Sequence, residues 1–111
     1  MRAFLLLLAL SGAAMAGATG DAARGGTVFM ANCMACHGKD GAGDGPAARA
    51  LKPPPRSFAA AEFWADMNPD RIRTAIRTGA PGTAMMGFPA LTEQDVVDLI
   101  AFVETKRPKP Q

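Results

Sequence analysis

The chain has 111 residues, room for one domain, and 49% of them are hydrophobic. A formal charge of +2 supplies neither the repulsion that keeps a chain unfolded nor the large basic surface of a nucleic-acid binder. Beyond residue 16 only four valines and three isoleucines remain, too few β-branched aliphatics to build a sheet.

Met1 and Arg2 lead into the apolar run 3–10, which Ser11 and Gly12 break before Ala14-Met15-Ala16. A short basic start, an apolar middle and an A-x-A site make residues 1–16 a secretory signal peptide, cut near Ala16. The run is far shorter than the roughly 20 residues of a spanning helix, and no cysteine follows the cut to carry a lipid. The mature chain is therefore expected to be exported to the periplasm and soluble, with no membrane anchor.

Three helices are punctuated at both ends. The first follows Asp21 as N-cap and runs toward Cys33, with Gly25, Val28, Phe29 and Cys33 at helical spacing. Adjacent Gly25 and Gly26 weaken it by roughly 1 kcal/mol each, useful only where another backbone must come close. The second has Asn68 as N-cap, Pro69 at the first helical position and Gly79 as its stop. It points Ile72, Ala75 and Ile76 inward and Arg71, Arg73 and Arg77 to solvent. The third opens on the capping box Thr92-Glu93-Gln94-Asp95 and carries an inner stripe of Val96, Leu99, Ile100 and Val103, flanked by Phe102. Pro108 prevents its continuation, so 17–105 forms the domain and 106–111 a loose, solvated tail.

Between helices the chain is long and irregular. Residues 38–45 are glycine-rich, 46–51 suit one short helix, Pro53-Pro54-Pro55 is a stiff strut, and 79–89 is a further loop. Loops of this length in so small a domain are usually functional. Leu, Ile, Val and Phe make up only about 16% of residues 17–111, a thin core for a folded protein.

Cys33-Met34-Ala35-Cys36-His37 is C-x-x-C-H, the attachment signature of haem c. Two thiols three positions apart can each form a thioether with one haem vinyl group, leaving the next residue, His37, as axial ligand to the iron. A thiol-redox pair belongs beside a strand, and none precedes this motif; a zinc site needs about four ligands, and the chain has two cysteines and one histidine. One covalent haem c would also fill the thin core, burying its faces against Met30, Phe58, Trp64, Ile76 and Met85. Because His37 is the sole histidine, the sixth ligand is a methionine, another group, or nothing. Met85 and Met86 stand together in a Gly/Pro-bracketed loop, and in an extended segment they face opposite ways, so that only one sulfur can point at iron.

These motifs resemble the mono-haem class I cytochrome c family, above all its small bacterial periplasmic members, over nearly the whole mature chain. Gly25 and Phe29 match the small and aromatic positions of the family's first helix, and Leu99 and Phe102 those of its last. The resemblance implies an all-α fold: three main helices, the first crossing the last, plus long loops wrapped around one covalently attached haem. It also implies that the Pro46 carbonyl accepts the His37 ring N–H. Gly82-Thr83-Ala84-Met85 resembles the family's G-T-x-M-P ligand loop, which selects Met85 as the second axial ligand, with Met86 standing where proline is usual. Arg56 is a candidate partner for a haem propionate, and Trp64 for a cover on the haem edge through its ring N–H.

The function so implied is one-electron transfer between donor and acceptor redox proteins through small, transient contacts, by a monomer that turns over no substrate of its own. Two alternatives stay open: a haem c subunit of a larger oxidoreductase complex, and a labile-ligand haem protein that senses or binds a gas.

Overall fold

All three expected helices begin at their capping residues in the computed structural model, which describes residues 19–110; the expected signal peptide and cleavage site lie outside them. The Asp21 carboxylate accepts the Arg24 N–H and starts α1 (Ala22–Asn32). α1 stops when Cys33 leaves helical geometry, and the one-turn α2 (Met34–His37) restarts immediately after it. The short helix expected over 46–51 is a 3-10 turn at Ala48–Ala50. A further short helix, α3 (Ala61–Asp66), has no sequence punctuation: its cap, Ala60, makes no side-chain hydrogen bond. Asn68 caps α4 (Pro69–Thr78), which Gly79 ends at φ 83°. The Thr92–Asp95 capping box closes in both directions at the start of α5 (Glu93–Glu104). The described residues contain no strand, and none of their helices is long and apolar enough to cross a membrane.

The fold turns on the crossing of α1 and α5. A Cβ on Gly25 would lie within the van der Waals radius of the Asp98 carbonyl and close to the Leu99 nitrogen, so the two backbones touch only because position 25 has no side chain. One residue on, a Cβ at Gly26 would meet the Phe102 ring at 3.2 Å, tight but against a side chain that can shift. Phe29, one turn further, packs on Phe102 with ring centroids 4.8 Å apart. Below the crossing the core gathers Phe29, Phe58, Phe63, Trp64, Ile72, Ile76, Val96, Leu99 and Val103. Four of these nine are aromatic, which is how a chain short of aliphatics still fills space. Met30, expected against a haem face, stands outside this side-chain core.

A fully buried charge locks the crossing. Asp98 accepts the Asp21 N–H (2.8 Å), the Arg24 guanidinium (2.7 Å) and the Gln94 amide (2.8 Å), while Arg24 also reaches Asp95 at 2.8 Å. The Asp21 N–H first, then Arg24, hold the Asp98 carboxyl below the usual carboxylate range. Elsewhere the arginines of α4 do not simply face water. Arg73 and Arg77 both engage Glu93, and Arg77 also donates to the Leu91 carbonyl, tying α4 to the start of α5. At the C-terminus, Lys106 lies over the Phe102 ring (4.9 Å) and Arg107 over the Trp64 ring (4.9 Å), so the segment expected to be loose begins against the core.

Two outcomes follow from the crossing. Gly25→Ala should lower the unfolding free energy by about 2–3 kcal/mol and Gly26→Ala by less than about 1 kcal/mol, measured by denaturant unfolding of the mature protein. Because folding lowers the Asp98 pKa, its contribution is complete above the unfolded value near 3.8 and is lost as pH falls through the lower folded value. The thermal midpoint should therefore drop below about pH 4, and Asp98→Asn should lower the midpoint at pH 7 while flattening that acid limb.

Candidate functional site

Cys33, Cys36 and His37 occupy the corner where α1 gives way to α2. A one-turn helix leaves its carbonyls without partners, and the glycine-rich loop that follows supplies them. Ala47 N–H donates to Ala35 (2.8 Å), Gly45 N–H to Cys36 (3.2 Å) and Gly43 N–H to His37 (2.8 Å). The loop is thus folded back on the motif by its own backbone and holds the two thiols and the imidazole on one short, fixed turn.

Cys33 and Cys36 are half-buried and form no disulfide. Burial, with a smaller push from Cys36, raises the Cys33 thiol to about 11. Redox-active C-x-x-C pairs work the other way, through a lowered thiol pKa. Burial also pushes the His37 pKa down, so the ring is neutral at neutral pH and keeps a nitrogen lone pair for a metal. Its Nδ1 is buried with no hydrogen-bond partner. Two rings border it: Phe58, stacked at 5.1 Å with 28° between planes, and Phe29 at 6.1 Å. Among the described residues, no three His, Cys, Asp or Glu side chains converge as a metal ion would require.

The methionine loop is fastened to the end of α4. Ala80 N–H donates to the Met85 carbonyl (3.2 Å), Phe88 N–H to the Ile76 carbonyl (2.7 Å), and Gly79 packs against the Met85 carbonyl. The Thr83 hydroxyl accepts the Met85 N–H at 3.1 Å and donates to Ala80 at 2.7 Å. Met85 is half-buried in this loop, whereas Met86 is 69% exposed.

The three remaining expected residues, Pro46, Arg56 and Trp64, have the following surroundings within the protein. Pro46 is exposed, and its carbonyl does not take the His37 Nδ1–H, which stays unpaired. Arg56 is turned onto α3: it donates to the Glu62 carbonyl (2.9 Å), meets Asp66 at 3.1 Å and lies over the Phe63 ring. Trp64 is buried, and its ring N–H is spent on the Phe58 carbonyl at 2.7 Å. Sequence reasoning placed Phe58 against a haem face but gave no sign that its ring stacks on His37, because that contact joins residues 21 positions apart with no shared local pattern.

A small helical domain that sets two cysteine sulfurs outside any disulfide and an adjacent neutral imidazole on one turn, with a half-buried methionine in a separate loop, has the donor set of a covalently attached haem: two thioether-forming sulfurs, one nitrogen, one soft sulfur. The cytochrome c family model matches residues 22–106, and the chain belongs to that family. It is 31% identical to the KustC0563 c-type cytochrome over 75% of this chain and 96% of that one, with a TM-score of 0.59. It also shares its fold, at a TM-score of 0.66 and 24% identity, with a chain of the Kuenenia stuttgartiensis reducing HAO-like protein complex Kustc0457/Kustc0458. That alignment covers 78% of this chain but only 46% of the other, so this protein spans less than half its length. No curated protein matches. Family membership with the C-x-x-C-H pair at Cys33 and Cys36 means one covalent haem c and a domain of haem-based electron transfer.

The mass of the purified mature protein should accordingly exceed that of its polypeptide by one haem. Thiol titration after denaturation should find neither Cys33 nor Cys36 free. The double variant Cys33→Ser/Cys36→Ser should lose the haem on a denaturing gel.

Proposed function

We propose that this is an exported, periplasmic carrier of single electrons whose haem iron is held by His37 and Met85, acting as a monomer between a donor and an acceptor protein. When bound, the haem supplies a one-electron ferric–ferrous couple. His37 contributes a nitrogen that burial keeps unprotonated. Met85 contributes a soft sulfur, which favours the reduced state and raises the potential. The observation that carries the choice of Met85 is the contrast between neighbours: Met85 is half-buried, with its N–H held by Thr83, while Met86 stands 69% exposed. Thr83 fixes the backbone of the ligand-bearing residue before any ligand is bound, which lowers the ordering cost of placing the sulfur.

Membership of a family made up typically of electron carriers rather than enzymes supports a protein that turns over no substrate of its own. The near-balanced charge leaves steering to local patches, and a carrier that must let go quickly needs only a small contact. The likeness to KustC0563, which extends over 96% of that c-type cytochrome, supports a domain that works at this size.

Met85→Ala should abolish the far-red sulfur-to-iron charge-transfer band of the ferric protein and lower its reduction potential. Met86→Ala should leave the band in place with at most a modest change in potential. Loss of the band in Met86→Ala alone would invert the assignment, and its survival in both single variants would mean that the two sulfurs substitute for one another.

A further inference from the structure

We infer that Phe58 is a positioning residue for the axial histidine: its ring, stacked face to face on His37, fixes the plane of the imidazole in place of a hydrogen bond. This rests on the proposal that His37 ligates the iron.

A coordinated imidazole can still turn about the bond from its nitrogen to the metal, and that axis lies in the ring plane. Such a turn swings the plane. It is ordinarily stopped by a hydrogen bond from the second ring nitrogen to a fixed acceptor. Here that nitrogen, Nδ1, is buried and has no partner. What does meet the imidazole is the face of Phe58, 5.1 Å away and within 28° of parallel. A swing of the imidazole plane drives its edge into the Phe58 ring, so parallel stacking resists the motion that the missing hydrogen bond would have resisted. Phe29, inclined at 49° and 6.1 Å away, supplies a second wall.

A stacked ring positions its neighbour only if it is itself held, and Phe58 is held from several directions. Its N–H donates to the Gly41 carbonyl at 2.8 Å, and its carbonyl accepts the Trp64 ring N–H at 2.7 Å. Phe63 packs on its far neighbourhood at 5.0 Å. Gly41, at φ 72°, lies against the Phe58 ring so closely that a Cβ there would overlap it. The buried Trp64 hydrogen bond thus acts on the imidazole through the Phe58 backbone. A histidine held this way also lacks the added basicity that an Nδ1–H···O bond confers, making it a weaker donor to the iron.

The test uses the haem-loaded protein and reads the orientation of the axial ring directly, by the ferric g-values in electron paramagnetic resonance and the spread of haem-methyl shifts in proton NMR. Phe58→Leu should change both patterns and shift the reduction potential, while the sulfur-to-iron charge-transfer band persists. Phe58→Tyr, which keeps the stacked face, should restore the parent pattern. Ile72→Ala removes a buried core side chain from α4, a helix that carries none of the groups holding Phe58; it should lower the thermal midpoint and leave both spectra unchanged. Should Phe58→Leu fail to fold, Gly41→Ala displaces the same ring without deleting it and should alter the same signals. Parent-like spectra in Phe58→Leu or, where that variant does not fold, in Gly41→Ala would overturn the inference, as would equal spectral changes in Ile72→Ala. Absence of covalent haem from the parent protein would instead overturn the functional proposal beneath it.

Discussion

The close approach of α1 and α5 at Gly25 is the constraint on which the rest of the molecule depends. Helix axes brought within backbone contact cannot be held by side-chain packing at that point, because there is no side chain to pack. The surrounding sequence compensates with charge: Asp98 is buried, accepts the Asp21 N–H, and draws Arg24 across the junction. Removing only one member of such a buried set leaves an unpaired charge, so the network makes the crossing angle hard to change even where it adds little net stability. From that fixed angle, Phe29 reaches Phe102 on one side and His37 on the other. The crossing therefore sets where α1 ends, and with it where the thiols and the imidazole begin.

A chain with few aliphatic residues faces a packing problem, which this one meets with rings. Contiguous aromatic contacts run from Phe102 through Phe29 to His37, and from His37 through Phe58 and Phe63 to Trp64. His37 is a member of this assembly rather than a group lodged beside it. Structural and redox roles are consequently hard to separate at Phe58, whose backbone and ring both act on neighbours. The haem that family membership requires is one more large apolar group for so few large side chains to pack against.

Features with a local chemical cause were legible in the sequence. Asp21, Asn68 and Thr92 cap helices because their short polar side chains reach a backbone N–H three residues on, and that requires no tertiary knowledge. Cys33, Cys36 and His37 were legible because their spacing is itself the chemistry. Other features depend on which surface the chain later meets. Asp98 falls beside the apolar stripe of α5 and reads as a solvent-facing acid until Arg24 is brought over from 74 residues away. α3 has neither a capping side chain nor a helical period long enough to detect. The protein partners of Arg56 and Trp64 were hidden for a similar reason: Glu62, Asp66 and Phe58 become their neighbours only once α3 has formed.

The account stands most directly on the coordination of the iron, since a closed six-coordinate centre carries electrons and an open one binds ligands. The decisive measurement is a redox titration of the purified protein followed in the visible spectrum, with carbon monoxide then added to the ferrous form. A single one-electron wave, together with a low-spin ferrous spectrum that carbon monoxide leaves unchanged, is the predicted result. A high-spin ferrous spectrum, or prompt conversion to a carbon monoxide adduct, would contradict the carrier and identify a haem protein built to bind a gas.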